Sequence, residues 1–331
     1  MNLGPDNQPV GTLRALPGWS AACLLAAGPL VALPAPQGSG AVSECEAAAQ
    51  ASDWDAAVAV CEEAIRESPD TYGIHYFLGF AYQARQEWTR AGAAFESFLT
   101  AVEELPEDVP RPDEQLGIAA RSAGLAWFRG GDLETALPLL RRTAEADPAD
   151  AEVHFFLGVG LMQGGDGEGA EAAFSVVIRE APQISQALFF VGQLRYDAGD
   201  YEAAGAHLTG YLEAAPAGPF AADAHWMAGS IALRSSESET ADAGADDEAR
   251  RHFTALLEAE PHSPRAAVAH YFLGTIAADR EECDQARRHY EDFLRIAPDH
   301  ERASEVRRYL EEGFAPCPAP AGNSLNSQGL C

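Results

Sequence analysis

The chain has 331 residues, 47% of them hydrophobic, which is enough for a large folded body. Its formal net charge is −29, from 51 acidic and 22 basic residues, and every basic residue is arginine. That balance repels polyanions and offers no basic patch to overcome the repulsion, which sets aside nucleic-acid binding and charge-driven attachment to anionic lipid.

In chain order, residues 1–40 come first. Arg14 precedes the apolar run Ala15–Ala35, and the small residues Ser39, Gly40 and Ala41 follow. A positive residue, an apolar core and a small-residue end describe a secretory signal peptide, with cleavage expected near Ala35–Ala41. Pro17, Pro29 and Pro34 interrupt the apolar run and argue against a spanning helix. Cys23 follows Ser20-Ala21-Ala22 with no leucine ahead of it, so a lipoprotein anchor is not expected.

The body spans residues 41–316. Its clearest stretch, Ala151–Pro182, reads as two amphipathic helices around the turn Gly164-Gly165-Asp166. His154, Leu157, Gly158 and Leu161 share one face of the first helix; Ala170, Phe174 and Val177 share one face of the second. Both sets follow the helical period. The small residues Gly158 and Ala170 predict a close approach of two helix backbones. The layout recurs at Gly79/Ala91/Phe95, Gly124/Ala136/Leu140, Gly192/Ala204/Leu208, Gly229/Ala249/Phe253 and Gly274/Ala286/Tyr290. Gly124, Gly158 and Gly192 are spaced by 34 residues. This pattern and period resemble the tetratricopeptide repeat family. The resemblance covers roughly residues 41–298. It implies an all-α, right-handed α-solenoid of about seven helix-turn-helix repeats, and His300–Gly313 adds a C-terminal capping helix. Repeats six and seven, with PHSPRAAVAHYFLG and ARRHYEDFLRIAPDH, are also similar to repeats of bacterial cell-envelope proteins.

Two inserts interrupt the array: Leu105–Gln115, with three prolines among acids, and the acidic Ser235–Glu248. Both are expected to be loops. Repeat one is degenerate, with Cys45 in place of the glycine and Cys61 in place of the ring. Residues 317–331 read as a loose tail. Export would place the cysteines in an oxidising compartment. The antiparallel helices of repeat one bring Cys45 level with Cys61, and the capping helix returns Cys317 towards Cys283, so two disulfides are expected. Cys331 is left over for an intermolecular bond or a reactive thiol.

No catalytic motif is present: there is no GxSxG, P-loop, GxGxxG or HExxH, and no acidic pair is singled out for acid–base work. An enzyme, a cofactor and a metal are not expected. His75, His154, His225 and His270 each stand four residues before a repeat glycine, so they occupy one site in different repeats, too far apart to share an ion. One residue further on lies a second stripe: Tyr76, Arg121, Phe155, Phe189, Trp226 and Tyr271, continued by Phe80, Phe128, Met162, Tyr196 and Leu233. In the tetratricopeptide family this face lines the concave groove, so the resemblance implies an aromatic ladder for a protein or peptide partner, with Arg121 and Arg234 as carboxylate partners. The expected role is an exported, periplasmic or envelope scaffold that is not an enzyme. The alternative is a structural homo-oligomer whose groove is self-occupied or which is linked through Cys331.

Overall fold

The structure, a computed structural model, describes residues 40–68, 71–236, 244–313 and Cys317. The expected leader up to residue 39, the middle of the acidic insert, and the tail beyond Cys317 with Cys331 lie outside the described residues.

Among the described residues are fifteen α-helices: α1 (Gly40–Gln50), α2 (Trp54–Glu67), α3 (Tyr72–Ala84), α4 (Trp88–Glu103), α5 (Asp113–Gly130), α6 (Leu133–Ala146), α7 (Ala151–Gln163), α8 (Gly167–Glu180), α9 (Gln186–Asp197), α10 (Tyr201–Ala214), α11 (Ala221–Ser236), α12 (Ala245–Ala259), α13 (Pro264–Asp279), α14 (Cys283–Ile296) and α15 (Ala303–Glu312). They are the seven expected pairs and the cap. The loop expected over Leu105–Gln115 is shorter than predicted, because Asp113, Glu114 and Gln115 open α5. Ser235 and Ser236 likewise close α11, and Ala245–Glu248 open α12.

One local device makes most of the pairs. Seven residues after Cys45, Gly79, Gly124, Gly158, Gly192 and Gly274, the chain turns left-handed, at Ser52, Gln86, Gly131, Gly165, Gly199 and Glu281. The following N–H returns to a carbonyl of the first helix, as from Asp132 to Trp127 O (3.0 Å) and from Asp166 to Leu161 O (2.9 Å), closing the helix end. The same aspartate then opens the second helix: Asp53, Asp132, Asp166 and Asp200 accept from the backbone N–H three residues on. Ser52, Gln86 and Glu281 adopt a conformation that glycine takes without strain.

The repeat glycine meets the second helix of its own repeat. A Cβ placed on Gly158 would lie 2.8 Å from Phe174 Cε1. The corresponding neighbours are Phe95 for Gly79 (2.7 Å), Leu140 for Gly124 (3.0 Å), Leu208 for Gly192 (2.9 Å), Phe253 for Gly229 (2.9 Å) and Tyr290 for Gly274 (2.6 Å). The partner is the sixteenth residue after the glycine in every case except Gly229, where the insert delays it by eight. The close approach expected of Gly158 and Ala170 is therefore filled mainly by a side chain: a ring or a leucine lies over the glycine. In repeat one the same two stations are held by Cys45 and Cys61, which are joined at a Cα–Cα distance of 4.9 Å.

The helices fall into two compact units that divide between Ala187 and Leu188. In the first, α2 packs on α3, α4 on α5 and α6 on α7, and α1 meets α3 as α5 meets α7. Its core holds Tyr76, Phe77, Phe95, Phe98, Phe155 and Phe174. In the second, α10 packs on α11, α12 on α13 and α14 on α15. Its core holds Phe189, Phe190, Tyr211, Phe253 and Phe293, and Cys317 is joined to Cys283 at a Cα–Cα distance of 5.3 Å.

Candidate functional site

The second stripe on the first helices divides in two. Tyr76, Phe80, Phe155, Phe189 and Tyr271 are buried. Tyr76 lies 5.0 Å from Phe80 and 5.2 Å from Phe98, and Phe80 lies 5.0 Å from Phe95. Phe155 contacts Phe174 at 5.9 Å. Phe189 stacks on Phe220 at 4.5 Å. Tyr271 lies against Tyr290 and Phe293, and Arg302 covers its ring at 4.8 Å while donating to its hydroxyl at 3.0 Å. These five rings are core, not ladder. Four of them stand three residues before the repeat glycine and Phe80 one residue after it, and each turns onto aromatic residues of its second helix, where burying a large ring gains more than exposing it.

The rest of the stripe keeps exposed surface. In the first unit, Phe128 is half-buried beside Phe156 (5.0 Å), and Met162 is half-buried. In the second, Trp226 is half-buried against Phe253 (5.8 Å) and Phe272 (6.3 Å), and Tyr196 is half-buried beside Tyr201 (5.5 Å). Burial pushes the Tyr196 phenol up, and hydrogen bonding with Ser230 and Arg234 opposes that. Arg234 is exposed and sits 4.9 Å over the Tyr201 ring.

Arg121 does not wait for a partner's carboxylate. It donates to Asp150 (2.6 Å) and to Glu152, and Glu152 also pairs with Arg129 (3.3 Å). Asp150 meanwhile caps α7 through Val153 N–H (3.0 Å). Arg121 is thus a strut between α5 and the start of α7.

The histidines hold a feature that the spacing of the first helices does not show. His225 Nδ1 lies 2.9 Å from His252 Nδ1, and His270 Nδ1 lies 3.0 Å from His289 Nδ1. His252 and His289 come from second helices. The signal was available, since each immediately precedes the ring that covers its repeat glycine. Phe220, another missed residue, lies before α11, and its N–H donates to the buried Tyr211 hydroxyl at 2.9 Å. Among the described residues, no three metal-ligating side chains converge, and no helix is long and apolar enough to cross a membrane.

Comparison with known families agrees with this architecture. The family model described as tetratricopeptide repeat matches residues 45–106, 121–184, 157–219 and 242–301. The chain belongs to the tetratricopeptide repeat family. Among solved structures, the C-terminal part of a tetratricopeptide repeat-containing protein from Cytophaga hutchinsonii is 12% identical, with a TM-score of 0.56 over 80% of this chain and 98% of that one. YrrB, described as a tetratricopeptide protein with an unusual peptide-binding site, is 20% identical over 56% of this chain and 89% of its own, with a TM-score of 0.48. MamA is 18% identical over 53% and 94%, with a TM-score of 0.43. No curated protein matches the sequence. Tetratricopeptide arrays are scaffolds for protein–protein interaction, and that is the general role of this chain.

Proposed function

We propose that this protein is an exported scaffold that holds a peptide or an extended protein segment on the first-helix faces of its repeats. Phe128 and Met162 make the contact in the first unit; Tyr196, Trp226 and Arg234 make it in the second. The observation that carries the reading is the division of the second stripe: once the buried rings are removed, these side chains retain exposed surface. They combine flat apolar area with one arginine, a mix typical of residues that dominate binding. Export is supported by the two joined cysteine pairs, which an oxidising compartment would preserve.

Photo-crosslinking in the native cells tests this. A benzophenone amino acid is placed at Met162 or Trp226 of the full chain, and at exposed Ala172 on α8 as the comparison. The expected result is one shared partner captured from 162 and 226 and not from 172. Capture from 172 alone would overturn the assignment of the face.

A further inference from the structure

In repeats six and seven the same contact is built twice. The histidine four residues before the repeat glycine points its Nδ1 at the Nδ1 of a histidine on the second helix, at 2.9 Å and 3.0 Å. Elsewhere the array carries half of it or none. His75 and His154 stand at the first position of repeats two and four, where Ala94 and Ala173 occupy the second. Repeat five has Leu188 and His207. Paired imidazoles are thus specific to the last two repeats.

Two Nδ1 atoms at this distance are joined by one proton. One ring carries Nδ1–H and donates; the other offers its Nδ1 lone pair and keeps its own proton on Nε2. A first added proton settles on Nε2 of the donor ring, and the bond survives with charge assistance. A second must bind the acceptor's Nδ1, which leaves two N–H groups and two positive charges face to face. We propose that the His225–His252 and His270–His289 pairs are acid-sensitive clips between the two helices of repeats six and seven, closed until each pair takes up its second proton.

The surroundings favour the closed form. Burial lowers the affinity of all four rings for protons. His252 is pushed down to about 4 by burial first, then by His225 and Arg251, while Glu248 lies 3.9 Å from its Nε2. On His225, burial alone sets the direction. On His270, burial is opposed by Asp292 and assisted by Arg295; on His289, burial is joined by His270, Arg288 and, from α12, Arg250, with Asp292 opposing. The sign follows. Above the ordinary imidazole range, folded and unfolded chains are both neutral. Below about 6.5 the unfolded chain binds protons that the folded pairs refuse, so stability falls as pH drops and levels off once the folded rings titrate.

The test is a long-range 1H–15N imidazole spectrum of the full chain, with chelator present, titrated from pH 8 to pH 3. Each pair is expected to show one Nδ1–H and one Nε2–H tautomer at pH 7.5. It is also expected to take up its two protons in steps separated by about a pH unit or more, a tenfold difference in affinity. In H252Q, His225 should titrate in a single step; H289Q should do the same to His270. Four Nε2–H rings, each titrating independently in the unaltered chain, would overturn the proposal without reference to any variant's folding.

Discussion

Phe155→Ala and Phe189→Ala are each expected to cost about 3–5 kcal/mol, the range for truncating a fully buried phenylalanine. Both rings are 0% exposed. Phe155 sits between Phe156 and Phe174, and Phe189 among Phe190, Tyr211 and Phe220, so alanine leaves a cavity that its packed neighbours cannot close. In a repeat array such a loss is felt by the mutated repeat and its neighbours first. Hydrogen exchange should therefore show lost protection in α7 and α8 for the first variant, and in α9 and α10 for the second. Selective loss of partner capture with unchanged protection would show that these rings are contact residues after all.

Removing the cysteine pairs is the other large effect. In the oxidised chain, loop closure over the Cys45–Cys61 separation of 16 residues is worth about 3 kcal/mol, and over the Cys283–Cys317 separation of 34 residues about 4 kcal/mol. The first bond replaces the glycine–ring contact of repeat one, the repeat with the least apolar side-chain volume at that station. The second ties Cys317 to the start of α14. Double alanine substitution of each pair, compared with the oxidised chain by urea unfolding, should lower stability by these amounts, and reductant should then change neither variant's own missing bond. Unfolding curves that are identical with and without the 45–61 pair would refute its role as a staple.

The architecture was legible because it rests on spacing. Glycine, left-handed turn residue and covering ring or leucine recur at fixed offsets in most repeats, with a capping aspartate in four of them, and the spacing survives even where cysteines replace glycine and ring. Side-chain direction was less legible. Tyr76 and Phe155 share a helix stripe with Phe128 and Met162, yet only the second pair keeps exposed surface. The difference lies in what the second helix presents: Phe95 and Phe98 receive Tyr76, and Phe174 receives Phe155. Arg121 was misread for a related reason, because its partners Asp150 and Glu152 lie about thirty residues on, in the next repeat. The histidine pairs needed both helices to be read together, and repeats two and four show only the first of them.

The most direct test of a shared glycine station is a double-mutant cycle at Gly158 and Phe174, followed by hydrogen exchange in α7 and α8. In the unaltered chain Gly158→Ala drives a Cβ into a ring that has no room to move, so the variant should be destabilised even though alanine favours helix over glycine by about 1 kcal/mol. In the Phe174→Ala background the ring is gone, and the same substitution should stabilise by about 1 kcal/mol, reversing its sign. An effect of Gly158→Ala with the same sign and size in both backgrounds would mean that the ring does not cover the glycine, and the common station on which the fold and the face are built would fall.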